Sequence, residues 1–235
     1  MNQPASKFPP PGLAFWLLTA ACFAAALARL LYWTPPDINQ GPIQKIFYLH
    51  LPAAINTFAA CLIVFIAGIG YLWQREDRWD DLAAAAAKVA VLLCSIVLFT
   101  GMFWAKRAWG HWWEWSPRLT FSLILWFLYV VYLMIRGSIE SRQRRATISA
   151  VYAIIAFCDV PLVWLSARML PDPYHPGKAE LAPAMWITLF VWFIPVSLLC
   201  AGLIAERFAA HQRRHLSEPR PMGPTHMPHA VGGIS

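Results

Sequence analysis

Long apolar runs alternate with short polar breaks along the chain. Six runs stand out, at Leu13 to Trp33, Tyr48 to Trp73, Leu82 to Trp104, Leu119 to Ile135, Thr147 to Ser166 and Ala184 to Ala205. A run of about 20 residues rises about 30 Å as a helix, enough to cross the hydrocarbon core of a bilayer. Lipid offers the backbone no hydrogen-bond partner, so each run must satisfy its own amides and carbonyls as a helix. The pattern therefore predicts an all-α membrane protein, a six-transmembrane-helix bundle. The first run is long, lacks a small-residue cleavage site and is followed by further spans, so it reads as the first helix and not as a cleaved signal. Trp16, Tyr32, Trp33, Trp73, Trp79 and Trp186 fall near the limits of the runs, where amphipathic rings settle at headgroup level.

Composition agrees with this reading and charge orients it. The chain is 59% hydrophobic and 13% charged, too apolar for an ordinary soluble domain. The N-terminus, the 74–81 and 136–145 loops and the C-terminal tail together carry eleven Lys and Arg, against six in the opposite set of loops. The positive-inside rule puts both termini and the Arg136, Arg142, Arg144, Arg145 cluster in the cytoplasm. That cluster reads as topogenic and lipid-facing, and nothing in the chain reads nucleic acid. Residues 1–205 form the expected transmembrane domain. Residues 206–235 form a cytoplasmic tail, whose Pro, Gly, Arg and His content from His211 onward predicts disorder.

Within the spans, Cys22, Cys61, Cys94, Cys158 and Cys200 show no CxxC pair and no CxxCH haem-attachment site, and are expected as core residues. Ala83 to Ala87 is a patch of small residues that lets helices approach closely. Arg29 and Lys88 lie near span ends, where long cationic side chains reach an interface. Asp159 falls midway along the fifth run, so it must face the bundle interior or a cavity, with a structural pairing partner expected.

Candidate chemistry gathers on the outer side. The loop between the third and fourth spans reads Trp104-Ala-Lys-Arg-Ala-Trp109-Gly-His-Trp112-Trp113-Glu-Trp115-Ser-Pro-Arg118-Leu-Thr120. Interface anchoring accounts for two or three tryptophans, not five. Such a segment forms either an amphipathic interfacial helix or a rigid aromatic shelf with cations at its edge, suited to a large flat anionic ring. Two histidines share that side. His50 precedes Pro52, which suits the first turn of the second helix and leaves His50 just ahead of it. His175 lies in the loop between the fifth and sixth spans. A pair of imidazoles fills both axial positions of a haem iron, which favours carrying or electron transfer over oxygen chemistry.

The string from Trp109 to Thr120 resembles the tryptophan-rich signature of the haem-handling membrane proteins. Its Arg-Leu-Thr ending, and the Tyr48-Leu-His-Leu-Pro-Ala-Ala54 segment, are similar to the heme exporter protein C family of cytochrome c maturation. The resemblance covers all six spans. It implies haem b at the periplasmic face of the bacterial inner membrane, held by His50 and His175 as axial ligands and by Trp109, Trp112, Trp113, Trp115 and Arg118. It further implies transfer to a haem chaperone, cytochrome c maturation protein E. The implied partners are ABC transporter subunits (maturation proteins A and B), a small membrane subunit (maturation protein D) and membrane lipid. The chain would act as a haem-transfer protein and not as a conventional enzyme, with covalent attachment falling to the chaperone. The family's usual Asp after the last tryptophan is Ser116 here, a weaker group for ordering the loop, and Glu114 could substitute. His111 competes as a ligand. A haem lyase of the related type and a b-type cytochrome subunit are the rival readings.

Overall fold

The computed structural model describes residues 9–169 and 181–217. It is helical throughout, and among the described residues the only β pairing is an isolated bridge between Asp37 and Gly41. The elements are α1 (Leu13–Tyr32), a 3-10 turn (Pro42–Ile46), α2 (Phe47–Gln74), α3 (Asp77–Trp109), α4 (Pro117–Ser138), α5 (Arg142–Phe157), α6 (Asp159–Met169) and α7 (Pro183–Ser217). Among the described residues six spans are long and apolar enough to cross a membrane, with α5 and α6 together forming the fifth. The multi-span helical architecture is as the hydropathy predicts.

Helix α3 stands at the centre, packed against α2, α4, α5 and α7. Ala83, Ala84, Ala85, Ala86 and Ala87 are all buried. Five consecutive positions point in every direction around a helix, so burial of all five means that neighbours surround this stretch. Lipid tails are as apolar as side chains, which leaves close packing as the drive for helix association. Alanine permits that closeness.

Prolines shape the helices differently from the expectation. The 3-10 turn leads straight into α2, so Pro52 lies inside the helix and His50 belongs to its first turn, not ahead of it. The fifth run is not one helix. Pro161 has no amide for the carbonyl of Phe157 and its ring crowds that carbonyl; the chain pauses at Cys158, whose amide bonds to Ile155 O at 3.1 Å, before α6 resumes. Asp159 thereby opens α6 in place of sitting mid-helix. It is buried as expected, but Oδ2 has no hydrogen-bond partner among the described residues. The cysteines also divide. Cys61, Cys94 and Cys200 are buried, Cys22 is half-buried, and Cys158, at the break, is exposed.

Contacts assign the loops to two ends. At one, Arg75 donates to Thr147 Oγ1 at 3.0 Å, Arg142 pairs with Asp77 at 3.0 Å, and Arg136 makes a two-pronged, buried ion pair with Asp80. The arginine-rich loops expected on a common side do meet there. Helix α7 runs past the expected end at Ala205 to Ser217, because its polar extension finds partners on α3. Gln212 donates to Asp81 Oδ2 at 3.0 Å, Lys88 Nζ lies 3.3 Å from His211 Nε2, and Ala209 is fully buried. Arg29 reaches Ala184 O at 3.5 Å near the other end.

Candidate functional site

The end away from the arginine loops holds every described member of the predicted site. Its frame is the junction of α2 and α3. Thr100 and Gly101 of α3 face the first turn of α2, and His50 lies between them and the ring of Trp104. The imidazole Nδ1 is 2.9 Å from Thr100 Oγ1, and the two rings meet edge to face at 5.9 Å. Gly101 makes the approach possible. A Cβ there would sit 3.3 Å from His50 Cε1, inside ordinary van der Waals contact.

Above His50 the first outer loop folds onto the end of α3. Asp37 Oδ1 accepts from the amides of Asn39 and Gln40 at 2.9 and 2.8 Å, forming a tight turn. Gln40 Oε1 then accepts from Trp104 Nε1 at 2.7 Å. Trp104 stacks on Trp109 with ring centres 6.4 Å apart and 15° between planes. Helix α3 ends at Trp109 because Gly110 takes φ +87°, a left-handed cap that suits glycine, with its amide returning to Lys106 O at 3.2 Å.

From Gly110 to Ser116 the chain is irregular, which settles the choice between interfacial helix and loop in favour of the loop. The tryptophans do not form one flat shelf. Trp112 packs edge-on against Phe103 at 5.5 Å with Lys106 over its ring, while Trp113 and Trp115 make a second edge-to-face pair at 5.7 Å. Trp112 and Trp115 are 48% and 72% exposed, leaving two aromatic surfaces uncovered. Ser116 and Pro117 then open α4 as N-cap and first residue. The Ser116 hydroxyl is buried and caps nothing, with no partner among the described residues. Glu114 lies 3.8 Å from His111 Nδ1.

A cavity of about 190 Å³ opens between α2, α3, α4 and α6. His50, Gly101, Arg118 and Trp164 line it, with Phe58, Val97, Leu98 and Leu125 among its apolar walls. Gly101 and Leu119 also border a small pocket walled by Trp109, His111, Trp112, Trp113 and Glu114. Gly101 and Leu119 therefore link the cavity of the imidazole and the guanidinium to the tryptophan loop. Among the described residues no group of His, Cys, Asp and Glu could hold a bare metal ion. The cavity offers one imidazole, which can ligate a metal, and one guanidinium, which can pair with an acid. His175 lies outside the described residues.

A family model described as heme exporter protein C matches residues 10–219. The chain belongs to the heme exporter protein C family. Heme exporter protein C of Paracoccus denitrificans is 34% identical over 191 residues, 80% of this chain and 78% of that protein. Heme exporter protein C of Escherichia coli K12 is 31% identical over 174 residues, 71% and 70% of the two chains. A putative cytochrome c biosynthesis ccmC-like mitochondrial protein of Marchantia polymorpha is 27% identical over 188 residues, 80% and 77%. Membership of the heme exporter protein C family places the chain in cytochrome c maturation as a multi-span membrane protein. Within that family frame, the structure brings His50 and Arg118 to one cavity and sets Trp109, Trp112 and Trp113 beside it. Sequence reasoning missed Gln40, Thr100 and Gly101. Asp37-Ile-Asn-Gln carried a turn signal for the first; Thr100 and Gly101, inside an apolar run, carried none.

Proposed function

We propose that the chain binds haem b at the His50–Arg118 cavity and passes it to a haem chaperone during cytochrome c maturation. Haem supplies an iron whose two axial positions take imidazole nitrogens, and carboxylates at one edge that pair with cations. His50 serves as one axial ligand and His175 as the other. Arg118 receives a propionate, with Lys106 and Arg107 near the rim. The cavity is smaller than the roughly 300–1,000 Å³ of pockets that enclose drug-sized ligands, so one edge of the ring enters it. The rest lies against Trp109, Trp112, Trp113 and Trp115, partly uncovered. Partial exposure suits a carrier, because the chaperone must reach the ring to take it. Lysine and arginine counts favour a site on the periplasmic side of a bacterial inner membrane, with both termini cytoplasmic. The haem chaperone, maturation protein E, receives the haem. The other partners are the ABC transporter proteins, maturation proteins A and B, and the small membrane protein of the same system, maturation protein D.

The observation that carries this reading is the cavity that His50 and Arg118 share, an imidazole and a guanidinium among apolar side chains. The test is the absorption spectrum of the detergent-purified chain. A six-coordinate haem b spectrum is expected, with the Soret band lost or shifted in both His50→Ala and His175→Ala. A spectrum unchanged in both variants defeats the ligand assignment.

A further inference from the structure

Thr100 sits on a helix face that faces α2, and its hydroxyl touches three groups. It lies 2.7 Å from Ile96 O and 3.1 Å from Val97 O, both one turn back on α3, and 2.9 Å from His50 Nδ1. A hydroxyl has one proton, and a backbone carbonyl can only accept. The hydroxyl can give its proton to Ile96 O and still accept from His50, and with iron on Nε2 the imidazole proton sits on Nδ1, where Thr100 Oγ1 is placed to accept it.

We infer that Thr100 is a positioning residue, the group that fixes the tautomer and orientation of His50 so that Nε2 is presented to iron. The inference rests on the reading of His50 as an axial ligand. Metal-binding histidines owe their ring orientation and basicity to the partner of the second nitrogen. Here that partner is itself polarised, because the hydrogen bonds run in series from Nδ1–H to Thr100 Oγ1 and from Thr100 O–H to Ile96 O, each strengthening the next. The ring is held on one side by this bond and on another by the edge contact with Trp104. Of these two contacts, only the one to the hydroxyl distinguishes between the ring nitrogens, since it falls on Nδ1. A more electron-rich imidazole favours ferric over ferrous iron, so the Thr100 hydroxyl lowers the reduction potential of the bound haem.

The experiment compares wild type, Thr100→Val, Thr100→Ser and His50→Ala as full chains in detergent. Each is titrated with haemin, and the potential of the bound haem is measured by spectroelectrochemistry. Thr100→Val keeps the shape and deletes the acceptor; its haem affinity is expected to fall about 10- to 100-fold, the range for loss of an outer partner of a metal-binding histidine. Its potential should rise. Thr100→Ser, which restores the hydroxyl, should recover both. Should Thr100→Val fail to give a monodisperse protein, Thr100→Ala removes the hydroxyl without a branched replacement and is read the same way. Affinity and potential equal to wild type in the hydroxyl-free variant, with haem lost in His50→Ala, overturn the role of Thr100 and leave the ligand standing. Failure of Thr100→Ser to recover either property also overturns it. Wild-type haem binding in His50→Ala overturns the underlying assignment instead.

Discussion

Replacing Gly101 by alanine adds one methyl group at the point where two helices and the proposed iron ligand come together. The new carbon lies 3.3 Å from His50 Cε1, against about 3.5–4.0 Å for unstrained carbon contacts. A displacement of a few tenths of an ångström is required. The imidazole cannot absorb it freely, because moving away from Gly101 disturbs either the 2.9 Å bond to Thr100 or the edge contact with Trp104. Overpacking of this kind costs about 1–3 kcal/mol. If the strain is relieved by turning the ligand out of line, haem affinity falls about 5- to 150-fold at about 1.4 kcal/mol per decade. Helix propensity works the other way, since alanine is favoured over glycine in a helix by up to about 1 kcal/mol. Gly137, near the end of α4, separates the two effects, for a Cβ there meets nothing within 4 Å. Titration of haemin into each purified variant, followed at the Soret band, should show weakened binding in Gly101→Ala and none of it in Gly137→Ala. Wild-type affinity in both Gly101→Ala and the bulkier Gly101→Val would refute the placement of the ring at this wall.

Arg136→Ala strips the buried Asp80 carboxylate of its partner and should destabilise the chain by about 3–5 kcal/mol, seen as a large drop in melting temperature in detergent; a small change contradicts the burial argument. Ala86→Leu forces a side chain into a fully buried position of α3, at a cost of about 1–3 kcal/mol, and a melting temperature equal to wild type would mean that the helices there are not closely packed. Asp159→Asn removes a charge from a buried carboxyl that has one oxygen without a described partner. It should raise thermal stability, and a loss of stability would reveal a cationic partner.

The spans and the pairing of loops at each end were legible because they depend on run length and charge count. The tryptophan loop stood out by composition, but its shape was not legible. Five aromatic residues suggested one shelf, whereas the left-handed turn at Gly110 and the edge contacts with Phe103 divide them into separate groups. His50 stood out through its neighbours, yet its position relative to the helix start did not follow from them. Pro52 signals a helix start in isolation, and the 3-10 turn beginning at Pro42 takes over that function. The extension of α7 was hidden for a different reason. Residues from Glu206 onward look like a soluble tail until Asp81 and Lys88, far away in sequence, supply partners. Thr100 and Gly101 were beyond reach altogether, since one hydroxyl and one missing methyl inside an apolar run have meaning only when the facing helix is known.

The length of α7 bears on how the protein could be seen. Its 35 residues extend about 50 Å at 1.5 Å per residue, well beyond a hydrocarbon core of about 30 Å. A 26.5 kDa bundle buried in a detergent belt gives projection images almost no contour to align. The end of α7, tied to the start of α3 through Gln212 and Asp81, marks one end of the bundle. A rigid binder fused in register with the end of this helix would inherit its direction, which makes Ser217 a natural attachment point for a marker for electron microscopy.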